Sequence, residues 1–237
     1  MTEGPMIEGP GTRDRGTMDR FIIAIDGPSG AGKGTVARAV AERLGYRHID
    51  TGAMYRAVAW KALDARVDLN DELATAGMAA SSKIEVGDGI VRIDGRDVAQ
   101  AIRTPEIDAA AATVARQPRV REILIAAQRE IGRSGGIVME GRDIGTVVFP
   151  QAELKIYLDA APGERARRRA HDPAHASGRG GAAVRDVATA LEARDRSDRT
   201  RTMSPLTKAA DAVEIDTTGV PVEDVIQQVL ALAARRR

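Results

Sequence analysis

The chain has 237 residues, of which 43% are apolar and 29% charged, with a formal net charge of +1. That length suits one full hydrophobic core with inserted pieces, and the charge balance argues against a dedicated nucleic-acid coat. Cysteine is absent, which excludes disulfides, thiolate catalysis and cysteine-based zinc sites. No apolar run approaches the ~20 residues that span a bilayer. The first residues also lack an apolar signal core, so a soluble cytoplasmic protein is the default expectation.

Residues 1–19 are rich in Gly, Pro, Thr and charge and are expected to form a disordered leader, with Met18 as an alternative start. Order is expected to begin at residues 21–25, FIIAI, a β-branched run with turn residues behind it that reads as a buried parallel strand. Gly27, Pro28, Ser29, Gly30, Ala31, Gly32 and Lys33 then fit G-x-x-x-x-G-K. Val36, Val40 and Leu44 recur every fourth residue, which makes an amphipathic helix with Gly45 at its C-terminal cap. Strand, glycine loop and helix are the context of a phosphate-binding loop, whose amides cradle phosphate oxygens at a helix N-terminus. Gly34 occupies the Ser/Thr place of the pattern and Thr35 follows, so the usual magnesium-ligating hydroxyl is displaced by one residue. G-K-G-T is the form that nucleoside monophosphate kinases tend to carry.

A second strand is expected at residues 46–50, and then a helix capped by Thr51 and running to about Asp64. Residues 83–98 read as an antiparallel hairpin turning at Gly87-Asp88-Gly89, foreign to a βαβ series and so part of an insertion. Residues 105–116 are alanine-rich and helical in pattern; Pro118 opens a longer helix that ends at Gly135-Gly136. Strands are expected at 137–139, 154–158 and 212–215, and a last helix from Val222 to about Ala233. The alternation predicts an α/β fold with a parallel sheet and helices on both faces. Residues 162–205 are dense in arginine, and His171 to Ala183 is expected to be mobile. His48, His171 and His175 have no metal-site spacing.

Arginines are the remaining signal. Arg56, Arg121, Arg142, Arg194 and Arg201 each stand beside a turn or an element end. A guanidinium is always charged and forks onto two oxygens, which is what a second phosphate would need beside Lys33. Glu140-Gly141-Arg142-Asp143 directly follows a strand, at the carboxyl edge where ligands of such sheets bind. Residues 194–201 carry i,i+4 charge pairs and read equally as a helix laced with salt bridges.

GPSGAGKGT, DTGAMYR, PRVRE, EGRDIGTVVFP and RDRSDRTRTMSPL, in this order, resemble bacterial cytidylate (CMP) kinases from about Phe21 to the C-terminus. The resemblance implies a P-loop NTPase-type, five-stranded parallel core with an inserted monophosphate-binding subdomain and a mobile lid. In this chain these map to a core of about 20–60, 134–161 and 202–237, an insert of about 61–133 and a lid of about 162–201. It implies that Arg56, Arg142 and Arg201 hold the acceptor phosphate, that Arg121 and Asp143 read cytosine, and that Arg194 and Asp198 hold the ribose. Thr51 falls near the sugar and phosphate. Where the family has a base-contacting serine, this chain has Ala112, with Thr113 beside it.

The activity implied is transfer of the γ-phosphoryl of ATP to CMP or dCMP, with Mg²⁺ bridging the β- and γ-phosphates. Residues Gly27 through Thr35 form the ATP loop, Lys33, Arg142 and Arg201 do the catalytic charge work, and Thr35 orients the metal through its waters. Arg165, Arg168 and Arg169 lie where lid arginines reach phosphates. The partners expected are these nucleotides alone, with no nucleic acid and no membrane, acting on a monomer. A P-loop kinase for another acceptor (UMP, shikimate or dephospho-coenzyme A) is the nearer alternative. A GTPase is remote, because Asp216-Thr217-Thr218-Gly219 follows the last strand. An RNA-binding module would need aromatic platforms, and aromatics are 3% of the chain.

Overall fold

The computed structural model describes residues 21–172 and 181–237. The leader expected at 1–19, Met18 within it, and residues 173–180 of the stretch read as mobile, including His175, lie outside them. The first half runs β1 (Ile22–Asp26), α1 (Lys33–Leu44), β2 (Arg47–Asp50), α2 (Thr51–Asp64), α3 (Glu72–Ser81), β3 (Ile84–Gly87), β4 (Ile90–Ile93), β5 (Arg96–Asp97) and α4 (Pro105–Val114). It continues with α5 (Pro118–Gly132), β6 (Ile137–Gly141), a π-helical turn (Ile144–Val148), β7 (Leu154–Asp159), α6 (Pro162–His171), α7 (Gly181–Thr200), β8 (Val213–Asp216) and α8 (Val222–Arg236).

Five strands form one sheet in the order β2-β6-β1-β7-β8, every pairing parallel, as the alternation of strands and helices requires. The period-2 alternation of side chains decides which helix each face meets. Ile23, Ile25 and Val138 pack with Val36 and Val40 of α1 and Val229 of α8. Ala24, Ile137 and Met139 turn the other way, onto Ile125 of α5 and Ile144 and Val148 of the π-helical turn. β1, in the middle, is therefore covered on both faces, which is why its sequence is a continuous apolar run.

Between α2 and β6 the chain leaves the sheet. The expected hairpin gains a third short strand, with Arg96 and Asp97 pairing to Ile93 and Arg92. α3 has no counterpart in the sequence reading. Its buried residues are Thr75, Ala76 and Ala79, and of its two large apolar side chains Leu73 is 66% exposed and Met78 half-buried, so it lacks the stripe that betrays a helix. The cap of α2 also differs from expectation. Asp50 is the N-cap, accepting from the Ala53 amide at 3.1 Å, while Thr51 turns inward and donates to the Glu140 carbonyl at 2.8 Å. The arginine-rich stretch forms two helices, and the R-D-R-S-D-R-T segment is the C-terminal end of α7. Among the described residues no helix is long and apolar enough to cross a membrane.

β1 enters the loop at Gly27, where φ is +146° and a Cβ would stand 2.0 Å from the Leu158 carbonyl oxygen of β7. Backbone against backbone has nowhere to yield. Gly27→Ala is expected to lower unfolding free energy by about 3 kcal/mol or more. Gly163→Ala, with nothing within 4 Å of the new methyl, should stay within about 0.5 kcal/mol in the same denaturant titrations.

Candidate active site

A cavity of about 1060 Å³ opens at the carboxyl edge of the sheet. Ser29, Gly30, Gly32, Lys33, Gly34 and Thr35 line it on the loop side, and Thr51, Arg56, Arg121 and Arg142 face them with Asp143, Arg194, Asp198 and Arg201. Three loop residues singled out in the sequence do not line it. Gly27 is pressed against β7, Pro28 gives its carbonyl to Lys33, and Ala31 is fully buried in the core, its carbonyl accepting from Thr217 Oγ1 at 3.3 Å. They shape the loop.

Lys33 begins α1 and curls back so that its Nζ donates to the Pro28 carbonyl at 2.7 Å. Burial pushes its amine down to about 7, and the Arg142 guanidinium adds to the effect, while Glu140 and Asp26 oppose it. The loop is thus built around a cation short of anions.

Opposite, the arginines are held by carboxylates. Arg121, 1% exposed, lies over the Tyr55 ring and donates to Asp143 at 2.5 Å; Arg201 stands 3.8 Å from the other Asp143 oxygen. Arg142 Nε donates to Asp198 at 3.0 Å, and Arg56 to Asp50 at 2.8 Å. Burial alone would push the Asp198 carboxyl up, but Arg142, Arg194 and Arg201 outweigh it and hold it below the usual range. Arg194 is pushed down to about 10 by burial and by Arg142. Hydrogen-bonding capacity remains: Arg56 Nε, Arg121 Nε and Arg201 Nη2 are buried with no acceptor in hydrogen-bond range. Ten basic and six acidic side chains line the cavity in all. The excess of cations, with unfilled donors, suits a polyanion.

The three arginines of α6 separate in role. Arg165 is buried and pinned to the Ser29 and Ala160 carbonyls and to Asp195 of α7, so it supports the loop from behind and does not line the cavity. Arg168 reaches over the loop, its Nη1 3.8 Å from the place of a Cβ on Gly32. Arg169 pairs with Asp108 of α4, across the cleft, and Arg194 approaches the same carboxylate at 3.8 Å. On α4 the cavity is met by Ala111, and by Ala115 at its C-cap, rather than by Ala112 or Thr113, because the helix turns the latter pair away.

In the sequence Glu140 stands out only within the Glu140-Gly141-Arg142-Asp143 segment, and His48 only as a histidine without metal-site spacing. Glu140 lines the cavity, its Oε1 3.0 Å from His48 Nε2 and 3.1 Å from where a Cβ on Gly34 would sit. The G-K-G-T variant thereby has a physical reason: a side chain at 34 would stand in tight contact with a carboxylate, which would have to give by a few tenths of an ångström. Glu140 and Thr35 offer hard oxygen donors beside the phosphate loop, the donor type a magnesium ion and its waters require.

A parallel sheet with a phosphate loop at its carboxyl edge, faced by a wall of guanidiniums, defines a P-loop phosphotransferase. The comparisons give the family: the profile described as Cytidylate kinase matches residues 23–235, and the chain belongs to the cytidylate kinase family. Among its relatives, "Cytidylate kinase" of Solibacter usitatus (strain Ellin6076) is 46% identical over 92% of this chain and 94% of that one. "Cytidylate kinase" of Pelotomaculum thermopropionicum is 48% identical over 91% and 97%. The crystal structure of an uncharacterized protein from Eubacterium ventriosum ATCC 27560 is similar in fold alone, at 11% identity and TM-score 0.50 over 90% of this chain and 97% of that one.

The sequence contains five lysines. After reductive ¹³C-methylation, Lys33 is expected to titrate near pH 7, whereas an exposed lysine stays near ~10. Because burial disfavours the charged form, ATP must restore it on binding. Calorimetry at pH 8 should therefore show uptake of close to one proton, falling towards zero at pH 6. Lys33→Met should abolish both signals.

Proposed function

We propose that this chain transfers the γ-phosphoryl group of ATP to CMP and dCMP, giving CDP and dCDP. The observation that carries the reading is the single cavity in which Lys33 and the loop face Arg56, Arg142 and Arg201. Two nucleotides meeting there bring about six negative charges, and only a site with excess fixed cations holds them head to head. Membership of the cytidylate kinase family favours CMP over shikimate or dephospho-coenzyme A as acceptor.

The roles proposed are those the family resemblance implies, and the residues concerned line this cavity. The loop amides and Lys33 take the β- and γ-phosphates of ATP, with Arg168 above them. Arg56, Arg142 and Arg201 take the acceptor phosphate, Arg194 and Asp198 the ribose with Thr51 nearby, and Arg121 with Asp143 the cytosine. No strong general base is needed, because a phosphate monoester with its second pKa near ~6 is already largely ionised at neutral pH. In-line alignment and charge stabilisation are the chemistry left to the protein. Mg²⁺, when bound with ATP, would neutralise phosphate charge, and Thr35 and Glu140 would hold its waters. The insert between α2 and β6 serves the monophosphate, and α6 with α7 forms the lid that keeps water from the transferring group. The enzyme proposed here acts as a monomer, in the cytoplasm where its nucleotides are.

ADP formation from ATP across a panel of monophosphates tests this. CMP and dCMP should exceed UMP, AMP and water alone by orders of magnitude; comparable rates with AMP or shikimate would overturn the reading. Cytosine offers an amino donor where uracil has a carbonyl, and a carboxylate is its natural acceptor. Asp143→Asn should shrink the CMP-to-UMP ratio of kcat/KM by about tenfold or more while leaving ATP binding intact. Equal loss on both substrates would count against Asp143 as the base reader.

A further inference from the structure

Asp26 ends β1, one residue ahead of the loop, and the roles above leave it out. It is 5% exposed and does not line the cavity. Oδ1 accepts from the Ile144 amide at 2.8 Å and Oδ2 from the Gly145 amide at 2.7 Å. Those amides open the π-helical turn immediately after Arg142 and Asp143, where a helical segment has no acceptors of its own to offer. Asp143 itself stands at φ −148°, ψ 23°, outside both helix and strand, with its carbonyl taking the Val147 and Val148 amides.

We propose that Asp26 is a positioning residue for the acceptor: by gripping both amides it ties the strand that carries the phosphate loop to the turn that carries Arg142 and Asp143. This rests on the acceptor-site reading of those two residues. In the β1–β6 ladder Asp26 lies opposite Gly141, so the chain leaving β6 must fold over the end of β1 to place Asp143 against Arg121. At Gly145 a Cβ would sit 3.4 Å from Asp26 Oδ2, an ordinary contact, but 3.1 Å from Lys155 Cδ, so the turn is packed tightly between the Asp26 carboxylate and the Lys155 stem. A carboxylate is a costly group in this place. Burial pushes its pKa up to about 6, and Asp143 adds to that, against the two amides and Lys33. An asparagine would take one amide without that cost, but only two anionic oxygens take both. Neighbouring amides set at a fixed spacing are what position the reader turn.

The test is Asp26→Asn, with Asp26→Ala as the stronger form. KM for CMP should rise roughly tenfold and the CMP-to-UMP ratio of kcat/KM fall several-fold, more for Ala than for Asn. The dissociation constant of a fluorescent ATP analogue should stay within about twofold. Gly145→Ala crowds the same turn through the Lys155 stem while keeping the Asp26 carboxylate. It should repeat the CMP-specific loss, and it decides the question if the Asp26 variants do not fold. Equal loss of ATP and CMP affinity, or unchanged CMP kinetics in the folded variants, would overturn the assignment. A wild-type protein inactive on CMP would instead overturn the functional reading on which it rests.

Discussion

Concentrating cations in a cavity before any anion arrives is the constraint on which this structure depends. Guanidiniums a few ångströms apart repel one another, and burial removes the water that would screen them. The chain answers with a carboxylate for nearly every arginine: Asp50 for Arg56, Asp143 for Arg121 and Arg201, Asp198 for Arg142, and Asp108 for Arg169 and Arg194. Each pair fixes a long flexible side chain in one orientation, so little is left to order when a phosphate binds. The carboxylates do not neutralise the site. They leave a cationic excess and buried guanidinium nitrogens that still lack acceptors.

The same pairs explain why elements far apart in sequence converge. Asp108 belongs to α4 and its partners to α6 and α7, so one carboxylate spans the cleft from the inserted subdomain to the arginine-rich helices. Arg165 links α7 to the phosphate loop through Asp195 and the Ser29 carbonyl. The helices α6 and α7 are in this way tied both to the phosphate loop and to the wall of arginines opposite it. Partners of a buried charge must move together, because separating them leaves an uncompensated ion.

Much of this was legible before any coordinates. The strand, loop and helix around Lys33 announced themselves because each obeys a local rule: an apolar run, glycines at a tight turn, a four-residue period. Parallel order followed from alternation. The arginines were legible as a set, through their company with the loop. What stayed hidden depends on long-range placement. α3 buries alanines and a threonine, so it carries no periodic signal. Thr51 has the chemistry of a cap, yet Asp50, one residue earlier, accepts from the Ala53 amide while the Thr51 hydroxyl is taken by the Glu140 carbonyl. Arg165, Arg168 and Arg169 look alike in sequence; only the axis of α6 separates one behind the loop, one above it and one facing α4.

Gly34 shows how far a single position can constrain the rest. In the G-K-G-T loop the missing side chain looks like a loss, since a hydroxyl at that place would normally meet the metal. The structure turns the loss into a requirement. Glu140 leaves β6 with its Oε1 3.1 Å from the place of that absent Cβ, and His48 fixes the same oxygen from β2. A serine at 34 would press on that carboxylate, which would have to give by a few tenths of an ångström against its His48 contact. Glycine at 34, glutamate at 140 and the hydroxyl shifted to Thr35 therefore form one solution. Steric room in the loop is exchanged for an acidic group from the neighbouring strand.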